Sequence, residues 1–221
     1  MCGRFTLTVS GRVLAELFGV EEAPELDPRY NIAPSQPVLA ARVGSSGERE
    51  VVPLRWGLIP SWAEDPSIGN RMINARAEGV ASKPSFRSAV RRRRCLIAAD
   101  GFFEWCKVAG GKQPYLIRFA DGRPFAFAGL WERWEKGPDP VESCTIITTR
   151  PNALVAELHD RMPVILASSH FAEWLTPGPV ATDRLEALLA PFPADDMASF
   201  PVSRRVNSPA NDDSGVITPL P

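Results

Sequence analysis

Tyr115-Leu116-Ile117-Arg118-Phe119, Phe125-Ala126-Phe127-Ala128-Gly129-Leu130-Trp131 and Cys144-Thr145-Ile146-Ile147-Thr148-Thr149 are three apolar runs rich in β-branched and aromatic residues. The turn signals Ala109-Gly110-Gly111-Lys112 and Asp121-Gly122-Arg123-Pro124 punctuate them. Short, continuous apolar runs bounded by Gly and Pro fit buried strands better than helices. The centre of the chain therefore reads as a long antiparallel run of sheet. Upstream, Val38–Val43 and Glu50–Trp56 flank Gly44-Ser45-Ser46-Gly47, a hairpin signal.

Helices are expected only as short pieces. Val13, Leu14, Leu17 and Phe18 fall at helical spacing after Ser10, a potential cap. Further short helices are predicted from Pro84, over Pro151–His159 with proline early, over Phe171–Leu175, and around Leu185, Leu188 and Leu189. Pro28–Pro37 carries three prolines in ten residues and reads as a buttressed loop, and residues 201–207 read as irregular. With 221 residues and no internal repeat, the expectation is one α+β domain spanning residues 1–221.

The composition, 44% hydrophobic and 23% charged, is that of a globular chain. No stretch suggests a membrane span or a secretory leader, so a cytoplasmic protein is expected. Cys2, Cys95, Cys106 and Cys144 are widely spaced, and the only histidines are His159 and His170, so neither a zinc site nor a disulfide framework is expected. A net charge of −1 gives no global attraction for nucleic acid, so any such binding has to rest on local arginines.

Chemistry is concentrated in a few places. Met1-Cys2-Gly3-Arg4 puts a cysteine where removal of Met1 creates a 1,2-aminothiol. In model peptides such an amine titrates near pH ~7.7–8.0 and the thiol near ~8.5. An aldehyde would trap both, the amine forming an imine that the thiol closes to a thiazolidine. The alternative is an idle terminal residue. If Asn74-Ala75-Arg76-Ala77-Glu78 is extended, Asn74, Arg76 and Glu78 share one side. Glu104, inside Gly101-Phe102-Phe103-Glu104-Trp105, is either an outward member of a strand or a desolvated acid. His159-Asp160-Arg161 falls where a helix meets a loop, a place for a site residue or for a carbonyl cap. His170 reads as structural. Arg91–Arg94 is either a solvated end compensating a helix dipole or a phosphate contact.

Taken together, Met-Cys-Gly-Arg-Phe, Arg-Tyr-Asn-Ile-Ala-Pro (29–34), Asn-Ala-Arg-Ala-Glu (74–78), Gly-Phe-Phe-Glu-Trp (101–105), His-Asp-Arg-Met-Pro (159–163) and Pro-Val-Ser (201–203) resemble the SOS response-associated peptidase (SRAP) family of abasic-site processing proteins. The resemblance runs in order along essentially the whole chain. It implies a mostly antiparallel, barrel-like β core flanked by short helices, without cofactor or metal. It also implies a monomer that binds single-stranded DNA containing abasic sites, on the nucleoid after DNA damage. Cys2 would then form the thiazolidine with the ring-opened abasic aldehyde. Asn74 would hold the Cys2 amine or the opened sugar, and Glu104 and His159 would move protons. By the same resemblance Arg4, Arg76 and Arg161 contact phosphates, Trp62 stacks beside the abasic gap, and Thr148 is a weaker backbone contact. The family's peptidase label suggests self-removal of Met1, and the resemblance leaves open a separate aminopeptidase and whether Glu104 and His159 also support DNA lyase chemistry. An alternative is an N-terminal-nucleophile hydrolase acting on other peptides, and another is non-covalent strand binding. The chain departs from the pattern in having one tryptophan in Ser61-Trp62-Ala63, where some relatives have two, and Lys83-Pro84 where a DNA-facing arginine is expected nearby.

Overall fold

The computed structural model describes residues 2–221. In chain order the elements are β1 (Phe5–Leu7), α1 (Gly11–Phe18), β2 (Arg29–Ile32), β3 (Pro37–Val43), β4 (Arg49–Trp56), β5 (Asn74–Arg76) and α2 (Ala89–Arg92). Then follow β6 (Arg94–Ala99), β7 (Gly101–Val108), β8 (Gly111–Phe119), β9 (Phe125–Trp134), β10 (Val141–Thr149) and α3 (Ala153–Ala156). The chain ends with β11 (Met162–Pro163), β12 (Ile165–Leu166), α4 (Phe171–Leu175), α5 (Thr182–Leu188) and β13 (Met197–Pro201).

Strands β10, β4, β3, β6 and β9 pair in that order, and β9 pairs back to β10, closing a barrel. Four of its junctions are antiparallel, so in a ring of five the last must be parallel; that junction is β4 with β10, Ser143 opposite Arg55. Phe125–Leu130 of β9 is buried on both faces, which accounts for its continuous apolar run. Gly129 is where the barrel wall needs no side chain, since a Cβ there would lie 2.9 Å from Cys95 Sγ and 2.8 Å from Ile97 Cδ1. A second sheet, β13-β8-β7-β1-β2, packs alongside. The expected α+β architecture with a mostly antiparallel, barrel-like core is what the structure shows. Among the described residues no helix is long and apolar enough to cross a membrane.

β1 is short but firmly held, and this fixes the start of the chain. Phe5 is fully buried, edge-on to Trp56 and Phe127 with ring centroids 5.1 and 5.6 Å apart. Burial of such a ring stabilises by about 1.5–3 kcal/mol. Asp100, at the turn between β6 and β7, accepts from Thr6 Oγ1 (2.5 Å), Thr8 Oγ1 (2.6 Å) and the Thr8 amide (2.5 Å).

Several local expectations need correction. Pro28, Pro34 and Pro37 bracket a strand rather than exclude one. β2 sits at the sheet edge, where the Tyr30 and Asn31 amides donate to Asp212 Oδ1 (2.5 and 2.8 Å) instead of to another strand. β13 was not expected either. Ser10 precedes α1 without a side-chain cap, and Asn152, not Pro151, caps α3 by accepting from the Val155 amide at 2.9 Å. The helix after Pro84 shrinks to α2. The strand expected from the apolar run Val164-Ile165-Leu166 keeps only β12, and Val164 separates it from β11.

The arginine run does not behave as one solvated end. Arg91 and Arg92 face solvent, Arg93 bonds Glu132 at 2.8 Å, and Arg94 is buried. Arg94 donates to the carbonyls of Val90 (2.5 Å), Gly178 (3.0 Å), Trp174 and Thr176, tying α2 to the end of α4.

Candidate active site at the seam of the two sheets

The N-terminus runs into β1 of the second sheet, and β7 beside it carries Glu104. β5, paired parallel to β10 with Asn74 opposite Ile146 and Arg76 opposite Thr148, brings Asn74 to the same seam from the barrel side. The loop after α3 brings His159 and Arg161. Chain segments far apart in sequence therefore meet around Cys2.

Cys2 is fully buried, with Sγ 4.0 Å from the Arg4 carbonyl. Burial, reinforced by the nearby Glu104 carboxylate, pushes its thiol far above the ordinary range, so the sulfur is held as SH. Asn74 Nδ2 donates to the Cys2 carbonyl at 2.8 Å. Asn74 Oδ1 is buried and has no hydrogen-bond donor among the described residues. Glu104, only 2% exposed, has its pKa raised by burial, with nearby positive charge only partly opposing the shift. Of the two readings left open by the sequence, Glu104 is thus the desolvated acid. His159 is part-exposed, and its Nδ1 accepts the Arg161 amide at 3.0 Å. That assigns the neutral ring's proton to Nε2; once protonated, Nδ1 faces Asp160 Oδ1 at 2.9 Å. Cys2, Asn74, Glu104 and His159 are thereby gathered at one place.

The arginines differ in availability. Arg76 is exposed and makes no ion pair among the described residues. Arg4 Nη1 donates to Asn31 Oδ1 (3.0 Å) and the Val206 carbonyl (2.8 Å), and Nη2 to the Asn207 carbonyl (3.3 Å), so the C-terminal segment holds this guanidinium. Arg161 is bidentate on Glu78, Nη1–Oε1 2.5 Å and Nη2–Oε2 3.0 Å, and Nη2 also donates to the buried Thr148 carbonyl at 2.5 Å. The guanidinium lowers the Glu78 pKa, keeping the pair ionised. Asn31 and Glu78 are site neighbours that sequence reading did not assign a role. Glu78 was visible as the third member of the Asn74, Arg76, Glu78 alternation, whereas nothing local announces Asn31.

Trp62 is 53% exposed on a braced turn. Gly57, at φ +126° and with its Cβ position 2.6 Å from the Gly69 carbonyl oxygen, lets β4 turn sharply into this loop. Trp134 Nε1 donates to the Ala63 carbonyl (2.7 Å) and Lys136 Nζ to the Trp62 carbonyl (3.0 Å), so the exposed indole rides on a fixed backbone.

A β-barrel protein with a buried penultimate thiol, a desolvated acid, an amide and an imidazole at one seam defines the class. Residues 1–209 match the family described as SOS response associated peptidase (SRAP), and the chain belongs to it. It is 45% identical over 222 residues to abasic site processing protein YoaM of Bacillus subtilis, covering 98% of this chain and 97% of that one. It is 36% identical over 225 residues to abasic site processing protein HMCES of Gallus gallus, covering 87% and 66%. A crystal structure of a protein from Bacteroides thetaiotaomicron superposes with a TM-score of 0.87 at 27% identity, covering 99% of this chain and all of that one.

Proposed function

We propose that this protein processes abasic sites in single-stranded DNA, with Cys2 as the covalent nucleophile once Met1 is gone. The observation that carries this reading is the convergence of Asn74, Glu104 and His159 on Cys2, and relatives named abasic site processing proteins support it. Because the thiol is held protonated by burial, the freed α-amine reacts first. Its nitrogen adds to the C1 aldehyde of the ring-opened sugar. Loss of water, with a proton supplied to the departing hydroxyl by Glu104, gives the imine. Sγ then bonds to the same carbon while its proton passes to the imine nitrogen, closing the thiazolidine. Glu104 and His159 suit alternating donation and acceptance, and Asn74 Oδ1 offers an acceptor to the amine or to an opened-sugar hydroxyl. Arg4, Arg76, Arg161 and Thr148 serve the phosphates and Trp62 the neighbouring base. The protein acts as a monomer and without a cofactor.

The removal of Met1 itself lies outside the described residues. The family's peptidase description supports a second reading, hydrolysis of peptides by the same N-terminal nucleophile. One experiment separates them: intact mass of the purified chain with abasic single-stranded DNA or with added peptide. The first reading expects a Met1-free chain carrying a DNA adduct that resists SDS and is lost in Cys2→Ala. Unchanged adduct yield in that variant overturns it, and turnover of peptide in trans would establish the second.

A further inference from the structure

Among the described residues nine of the 21 arginines are ion-paired: Arg12, Arg29, Arg42, Arg93, Arg123, Arg133, Arg161, Arg184 and Arg205. Among the described residues Arg71, Arg76, Arg87, Arg91, Arg92, Arg150 and Arg204 are exposed with neither an ion pair nor a side-chain hydrogen bond, and Arg87, Arg91, Arg92 and Arg150 of these line neighbouring hollows. These four are not scattered. Arg87, Arg91 and Arg92 line a cleft of about 350 Å³ together with Ala81 and Ser88. Ala81 also lines a second cleft of about 440 Å³ that contains Arg150, Thr149, Ala77 and Glu78. Arg91 and Ala81 meet again in a smaller hollow of about 160 Å³ that shares Leu185 with the second cleft. The three hollows adjoin through these shared residues and are read as one groove. Ala77 and Glu78, next to Arg76 in sequence and with Glu78 bonded to Arg161, line one end, and Arg91 and Arg92 of α2 line the other.

The surroundings favour a polyanion. Of the carboxylates lining the groove, Glu78 is neutralised by Arg161, leaving Glu186 as the remaining acidic group among the described residues. The whole chain has a net charge of −1, so a run of unpaired guanidinium groups here is a local asymmetry. The groove is also built on a fixed base. Buried Arg94 ties α2 to α4, and the Gly178 amide donates to the Arg91 carbonyl at 2.8 Å. Leu185 and Ala77 give it an apolar floor, which suits the faces of bases with phosphates along the rim.

We propose that this groove is the track for the DNA strand flanking the abasic site on one side, with Arg150, Arg91, Arg92 and Arg87 gripping successive phosphates. The substrate is then a single strand several nucleotides longer than the reacting sugar requires. The inference rests on the abasic-site reading above.

The test is the salt dependence of binding, measured with Cys2→Ala so that binding stays reversible, on single-stranded oligonucleotides carrying a central tetrahydrofuran abasic analogue. The plot of log affinity against log salt has a slope of about −0.7 per phosphate contact on a single strand. R87Q/R91Q/R92Q should therefore flatten it by about 2. The corresponding triple lysine variant should keep the slope, and R12Q, an exposed arginine on α1, should leave it unchanged. Trimming the oligonucleotide on one side, but not on the other, should reproduce the flattening with unsubstituted arginines. These positions are exposed, so unfolding is not expected, and a thermal melt of each variant checks this. An unaltered slope in the triple glutamine variant, or equal effects of trimming either side, overturns the track. The parent reading fails separately: if the Cys2-containing protein makes no SDS-resistant adduct while the slope still flattens, the groove binds DNA and the covalent chemistry is wrong.

Discussion

The side-chain amide of Asn74 donates a 2.8 Å hydrogen bond to the main-chain carbonyl of Cys2, joining the start of the chain to a strand on the opposite sheet. This bond fixes the backbone of the residue proposed to carry the nucleophile, not its thiol or amine. Asn74→Ala should slow adduct formation roughly 2- to 12-fold, the equivalent of one hydrogen bond worth about 0.5–1.5 kcal/mol. Single-turnover crosslinking kinetics with abasic single-stranded DNA measure it; an unchanged rate would remove Asn74 from the site.

Glu104 has a raised pKa caused chiefly by burial, so the folded state holds its proton more tightly than the unfolded chain. Between the two pKa values the native state binds more protons, and stability falls as pH rises. The destabilisation is absent below the ordinary carboxyl pKa, grows as pH climbs, and is complete above the folded value. Glu104→Gln should remove this slope, gaining on the parent protein toward neutral pH while losing most of its crosslinking rate. Denaturant unfolding across pH 4 to 8 is the measurement, and parallel pH profiles would contradict the prediction.

Arg161 is partly buried, whereas the Glu78 that neutralises it is 61% exposed, so the pair opens from the glutamate side. Glu78→Gln should free the guanidinium for a phosphate, tightening binding of single-stranded DNA and steepening the salt dependence by about 0.7 in slope. Fluorescence anisotropy titrations at several salt concentrations read this directly. The exposed ion pair itself contributes only about 0–1 kcal/mol, so the melting temperature should barely move.

Trp62 stands out of a turn held by the Trp134 and Lys136 hydrogen bonds to its backbone. Trp62→Ala should weaken non-covalent binding about 5- to 150-fold, the equivalent of about 1–3 kcal/mol of stacking on one base. Stability should be nearly unaffected because the indole is largely solvent-exposed. Equal affinity of the two proteins for the tetrahydrofuran oligonucleotide would show that the ring touches no base.

What the sequence made legible follows the range of the physics involved. The hairpin of β3 and β4 and the long strands β8, β9 and β10 announce themselves because burial, turn chemistry and apolar runs are local signals. β2 and β13 do not, since prolines bound or end both, and their partners are Asp212 and β8, supplied by tertiary structure. The arginine run looks uniform on the page, yet its members have three different environments, and only the docking of α4 decides that Arg94 is inside. Glu104 was ambiguous for the same reason: alternation along β7 names a face, but not which face is dry. The residues gathered around Cys2 were identifiable as a set by resemblance, whereas the parts Asn31 and Glu78 play, holding Arg4 and Arg161, emerge only from three-dimensional contacts.

The closure of the barrel has a consequence for when the protein becomes reactive. β10 completes the ring by its parallel pairing with β4, and Asn74 rides beside it on β5, so the seam around Cys2 cannot exist until residues near 149 have been made. His159 follows later still. During synthesis Cys2 leaves the ribosome first and waits for every partner it uses. The nascent chain thus carries the Cys2 thiol with no acid, amide or imidazole beside it, and the finished fold encloses the same thiol completely. Non-local pairing of this kind makes folding slow, and here the delay is also a safeguard. A chain that fails to close its barrel lacks these neighbours around Cys2, so the proposed site is assembled by the same event that completes the fold.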